Sequence, residues 1–290
     1  MRSFAIPALL VAASGVSAQP PHAHNAIGAG AIETAVVRLL ETTRAAVTPF
    51  HDRRAAIAAG YRRIGPDVPS MGEHWINPRI VVADSFDVAQ PALLTYFTVA
   101  DKPVLAGVVY AAPLRPGESP PAIFGRDALW HEHNGSLDEE ALLPDHHSAP
   151  SEAVGIRLAI LHAWLWSPNP RGMFATENWT IPFLRLGLVA PDRFPEGASR
   201  ALSLLSGAEE HFVKLAGDRG RSAVERLVRD CGAVAARIVQ RARNEQGILD
   251  DDEVLSLDKI WTELITRVSV EVDGDAARRM NGGRWPESVK

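Results

Sequence analysis

The strongest constraint on the fold is a change of hydrophobic period along the chain. Between about residues 70 and 181, short apolar runs are separated by proline and glycine: Ile80 to Val82, Ala92 to Val99, Val104 to Ala111, Asp127 to His133 and Val154 to Trp166. Their length and their branched or aromatic content predict strands. After Pro182 the period becomes helical, with segments over Ala201 to Ala216, Ser222 to Gln246 and Asp252 to about Val270. Strands grouped together and helices grouped together predict an α+β fold rather than an alternating one. The expected order is an N-terminal helix, a central, mostly antiparallel sheet or barrel, and C-terminal helices.

Details sharpen this reading. Ile32, Val36, Leu39 and Leu40 recur at helical spacing in a lead helix from about Ala31 to Tyr61, which Pro49 divides. Gly65-Pro66-Asp67-Val68-Pro69 is expected to end it in a stiff loop. The runs on either side of Asp101-Lys102-Pro103 are expected to pair as an antiparallel hairpin. In the C-terminal third, Val224, Leu227, Val228, Cys231, Val234 and Ile238 form one stripe. Gly217 and Gly247 stand where helices stop, and Asp250 to Asp252 favour a helix start. The expected organisation is a signal peptide over 1–18, a flexible segment over 19–30, a helix and β-rich domain over 31–190, a helical region over 191–275 and a loose tail over 276–290.

The first residues carry an export pattern. Arg2 precedes an apolar stretch from Phe4 to Ala13, and Val16-Ser17-Ala18 offers small residues for cleavage before Gln19. The stretch is too short for a stable bilayer anchor. A secreted or periplasmic location follows, with no later membrane span. The one cysteine, Cys231, excludes an intrachain disulfide and reads as core packing. A net charge of −5 gives no indication of a nucleic-acid partner. Glycine-rich phosphate loops, Gly-x-Ser-x-Gly elbows and His-Glu-x-x-His helices are missing from the sequence.

The chemistry lies with histidine. In Trp130-His131-Glu132-His133, alternation on a strand puts His131 and His133 on one face, with Trp130 and Glu132 opposite. Their origins are then about 6–7 Å apart, close enough to converge on one ion at about 2 Å from each nitrogen. His162 shares a face with Leu158, Ile160, Trp164 and Trp166, while Leu161 and Leu165 lie opposite, so its strand should be buried on both sides. A desolvated imidazole favours the neutral, ligating form. His74, in Met71-Gly72-Glu73-His74-Trp75, is read at the end of a loop. Glu177 follows a turn-rich segment and is the candidate general base or further ligand.

Met71-Gly72-Glu73-His74-Trp75-Ile76-Asn77-Pro78, Leu161-His162-Ala163-Trp164-Leu165-Trp166 and Asn169-Pro170-Arg171-Gly172-Met173-Phe174 resemble segments of a group of secreted bacterial proteins. These have Gly-x-His-Trp/Tyr and Leu-His-x-Trp motifs. The likeness covers roughly residues 45 to 180. It implies that His74 and His162 belong to one layout and implies no particular reaction.

The leading expectation is a divalent-metal site, zinc or copper, built from His131, His133 and His162 with His74 as fourth ligand. It would serve binding or, with an open position, catalysis. The alternative is a metal-free small-ligand module in which Trp75, Trp130, Trp164, Trp166 and Trp179 line an apolar pocket. A third possibility is self-association through the C-terminal helices.

Overall fold

The computed structural model describes residues 34–83, 86–115, 117–125, 128–133, 157–193, 195–206 and 209–282. The export pattern, the 19–30 segment and the last eight residues lie outside these. Two N-terminal helices, α1 (Thr34–Val47) and α2 (Arg53–Ala58), flank a single turn that begins at Thr48-Pro49. The proline divides the helical lead as its missing N–H predicts.

Six strands follow: β1 (Arg62–Val68), β2 (Gly72–Ile76), β3 (Leu93–Val99), β4 (Lys102–Leu114), β5 (His131–His133) and β6 (Arg157–Ala163). They form one sheet in the order β1-β2-β3-β4-β6-β5, with every neighbouring pair antiparallel. The sheet is open rather than a closed barrel. The β3–β4 hairpin turns on Ala100 and Asp101, both at positive φ, the backbone that a two-residue hairpin loop of type I′ needs.

Three local expectations are corrected. Ile80 to Val82 is not a strand; Pro78–Val81 forms a short helix, α3, capped by the Asn77 side chain, which accepts from the Arg79 N–H. The Gly65-Pro66-Asp67 stretch belongs to β1, and His74 sits inside β2 rather than in a loop. Pro66 is tolerated because β1 is an edge strand whose pairing is interrupted between Ile64 and Val68.

The sheet is apolar on both faces. Trp75, Leu94, Tyr96, Val108, Tyr110 and Leu161 pack under Val36, Leu40 and Val47 of α1 and Ala56 of α2. Buried tyrosine hydroxyls on this side find partners: Tyr110 pairs with Thr43 at 2.7 Å, and Tyr96 donates to the Phe50 carbonyl at 2.6 Å. The other face carries Ile64, Ile76, Leu93, Val109, Leu158 and Ile160, with Val81 of α3.

The C-terminal helices are α4 (Ile181–Arg185), α5 (Glu196–Ser203), α6 (Glu209–Ala216), α7 (Arg221–Asn244), α8 (Asp251–Glu271) and α9 (Gly274–Met280). They build a core of their own from Phe183 onward, with Leu202, Phe212, Leu227, Leu257 and Leu264 fully or almost fully buried. The single helix expected over Ala201 to Ala216 is interrupted between α5 and α6. The tail is not loose through Met280. Arg200 lies over the rings of Trp179 and Trp261 and donates to the Met280 carbonyl at 2.8 Å, and the Trp261 indole N–H donates to Asn281.

The stripe on α7 is covered inside this core rather than left for a partner; of its residues only Val234 is exposed, at 40%. Helix α8 starts in a capping box: Asp250 accepts from the Glu253 N–H at 2.7 Å, and Glu253 accepts from the Asp250 N–H. Asp250→Ala is expected to lower stability by about 1 kcal/mol, read from urea unfolding. No helix among the described residues is long and apolar enough to cross a membrane.

The helical core joins the sheet through α4, which lies against β3, and α6, which lies against β1. Arg185 of α4 is the polar staple. Its guanidinium donates twice to Asp67 of β1, one bond at 2.6 Å, and once to the Ser206 carbonyl at 2.8 Å.

Candidate functional site

Strand register places the histidines. His74 on β2 stands opposite Thr95 on β3, which stands opposite Gly107 on β4. Two residues along, Ile76, Leu93, Val109 and His162 form the next row across the sheet. His131 of β5 pairs with Ile160 of β6, two residues from His162. Antiparallel partners share a face, so His74, Thr95, His162 and His131 all belong to the face opposite α1 and α2.

Two strands separate β2 from β6. Three spacings of about 4.8 Å would hold them about 14 Å apart in a flat sheet. The ring centroids of His74 and His162 are nevertheless 5.9 Å apart. Both side chains therefore lean toward each other across this face. His162 is the centre of the group. The His131 ring lies 5.7 Å away and nearly parallel, Trp164 stacks on it at 5.9 Å, and His74 meets it edge-on. His74 and His162 are 2% and 4% exposed, and the Nδ1 atoms of all three histidines are buried.

Local features hold this arrangement. The chain leaving β6 crosses β4 at Gly107; a Cβ there would lie 2.4 Å from the Ala163 carbonyl oxygen. Only glycine permits that approach, and it carries Trp164 onto the histidine side. The Trp164 indole N–H donates to the Ala175 carbonyl at 2.6 Å, fixing the segment that runs on to Glu177. Asn178 then donates its N–H to the Ser70 carbonyl at 2.7 Å, tying that segment to the start of β2. One carboxylate oxygen of Glu177, Oε2, is buried.

The structure thus brings together His74, His131 and His162. His133 has its backbone paired with Leu158 in β5, but its side chain lies outside the described residues. Glu132 is exposed on the opposite side, as alternation predicts. Among the described residues, no three His, Cys, Asp or Glu side chains converge as a ready ligand set. The neighbouring centroid distances still fall near the roughly 5–6 Å that two imidazoles sharing one ion at about 2 Å would have.

The tryptophans are spread over several parts of the fold, Trp75, Trp130 and Trp166 against the core under α1 and α2 and Trp164 on the histidine side. Trp75 lies under Arg53 on the α1–α2 side, Trp130 packs near Phe124, and Trp166 meets His51 edge-on. Trp166 is therefore not on the face of His162, because β6 ends at Ala163. Trp179 lies beneath Arg200 near the helical core. Glu73 also points away from the histidines: it pairs with Arg53 and Arg63 and accepts from the Trp75 indole. Cys231 is buried in the helical core, and burial pushes its thiol up.

Sequence reasoning missed Thr95. It is 1% exposed, and its hydroxyl is buried without a hydrogen-bond partner among the described residues. Its signal was a hydroxyl residue inside the apolar run Leu93-Leu94-Thr95-Tyr96-Phe97.

These features define an open antiparallel α+β fold with a group of neighbouring histidines on the sheet face opposite α1 and α2. Compared with protein-family models, with curated proteins and with solved structures, the chain matches none.

Proposed function

We propose that this chain binds a divalent metal ion, zinc or copper, on the sheet face opposite α1 and α2. His162 is the central ligand, and His74, His131 and His133 complete the set. The observation that carries the reading is the adjacency of three imidazoles, with the rings of His131 and His74 lying 5.7 and 5.9 Å from that of the buried His162. Neutral imidazoles favour zinc and copper. Drawing the nitrogens to a common point calls for rotation about the side-chain torsions of His74 and His131. Metal uptake closes the set. The role is metal holding, or hydrolytic or redox chemistry where one position stays open to a small ligand. Glu177, with its buried oxygen on the segment anchored by Trp164 and Asn178, is the candidate base or additional ligand. The export pattern of the first residues supports a secreted or periplasmic activity.

Untagged full-length chain is expected to carry or take up close to one equivalent of zinc or copper, measured by elemental mass spectrometry after titration and desalting. His162→Ala is expected to lower retained metal at least tenfold, and His74→Ala and His131→Ala to weaken it by a similar order, since losing one ligand or its support costs about 10–100-fold in affinity. Less than one tenth of an equivalent in the wild-type chain, with no uptake on titration, refutes the proposal.

A further inference from the structure

We propose that Thr95 is the residue that receives a small exogenous ligand beside the histidines: its hydroxyl hydrogen-bonds a water, hydroxide or small anion carried by the metal. This rests on the metal reading above.

Thr95 is completely enclosed, and its Oγ1 has no hydrogen-bond partner among the described residues. A buried hydroxyl without a partner is penalised, whereas a valine of the same shape would not be. The group therefore needs a partner from outside the chain. Its position says where that partner sits. Thr95 is directly opposite His74, and on its other side Gly107 contributes no side chain. The next strand over, β6, supplies His162, whose ring is 5.9 Å from that of His74. Thr95 thus stands beside His74 on the same sheet face, on the strand next to β2 in the direction of β6.

The backbone marks the same spot. The β3–β4 register shifts immediately after the Thr95–Gly107 pair, so that Tyr96 faces Leu105 and Ala106 is the additional residue. Such bulges bend the strand and re-aim the adjoining side chains. A hydroxyl can both donate and accept, so it suits a metal-bound water, hydroxide or azide. It is a positioning group for the ligand rather than a metal ligand itself.

The test uses full-length chain loaded with copper(II), with azide as the probe and its charge-transfer absorption as the readout. Thr95→Val is expected to retain the metal but bind azide about tenfold more weakly, the loss of one hydrogen bond to a charged ligand. Thr95→Ser is expected to stay within about threefold of the wild type, because it keeps the hydroxyl. The melting temperature of metal-free Thr95→Val is expected to equal or exceed that of the wild type. Unchanged azide affinity in a metal-loaded Thr95→Val overturns the role of Thr95 and leaves the metal reading standing. A marked loss of stability in Thr95→Val also overturns it, because the hydroxyl would then have a partner within the fold. Failure of the wild-type chain to take up copper or zinc overturns both readings.

Discussion

Arg185→Met is expected to destabilise the folded chain by about 3–5 kcal/mol, the usual consequence of leaving one member of a buried ion pair behind. The Arg185 side chain is 2% exposed and that of Asp67 10%. Methionine keeps much of the aliphatic bulk but supplies neither the two bonds to Asp67 nor the one to the Ser206 carbonyl. The loss should depend on pH. Burial already pushes the Asp67 carboxyl up, and Arg185 opposes that push. In the variant only the smaller effect of Arg63 still opposes the push. Folded Asp67 then holds a proton at pH values where the unfolded chain, with a carboxyl near about 3.9, has released it.

More protons bound when folded means that stability falls as pH rises. The variant is therefore most stable below the unfolded value. It weakens as pH rises through the raised folded value and is level above that. Urea unfolding at pH 5 and pH 8 reads this directly, with the larger deficit at pH 8. Adding Asp67→Leu to Arg185→Met is expected to recover most of the loss, since an apolar pair of similar volume is often neutral. A deficit under about 1 kcal/mol for Arg185→Met alone would place the pair among weak surface bridges and remove it as the staple between sheet and helices.

That staple shows why parts of the fold were legible in sequence and others were not. The class was legible because it rests on period: branched runs against helical stripes. The β3–β4 hairpin was legible because its strands are apolar on both sides and its turn is two residues long. Strand β1 was not, because Gly65-Pro66-Asp67 has the composition of a loop. Its place as an edge strand and the Asp67–Arg185 pair make that composition acceptable, and both are tertiary facts. Helix α9 was missed for a similar reason. Gly274-Asp275 and two arginines look solvated, while Ala276, Ala277 and Met280, the residues that dock, carry only a weak apolar signal.

The histidine group was half legible. Alternation could place His131 and His133 on one face and bury His162. It could not bring His74 within reach, because two strands intervene and the rings meet only in the folded sheet. Nor could it identify Gly107, whose role is to let another segment of backbone pass.

The glycine that governs His74 most directly is Gly72, and Gly72→Ala is expected to destabilise the chain by about 3 kcal/mol or more. Two separate effects add. The backbone φ is +85°, where an L side chain costs roughly 1–2 kcal/mol. A Cβ would also lie 2.2 Å from the carbonyl oxygen of Tyr96 in β3, and forcing such a group into a packed site typically costs about 1–3 kcal/mol. Gly187→Ala separates the terms, because it has φ +67° but nothing within 4 Å of the added atom. It is expected to lose only the backbone part, about 1 kcal/mol.

Gly72 opens β2, pairs with Val68 and lies two residues before His74. Relief of the clash must shift β2 away from β3, widening the space between His74 and Thr95. Gly72→Ala should therefore weaken metal retention even at temperatures where it stays folded, whereas Gly187→Ala, in the turn after α4, should leave retention unchanged. Equal losses of stability in the two variants would mean that β2 accommodates a methyl group against β3, and that the spacing on which the histidine group depends is not set at Gly72.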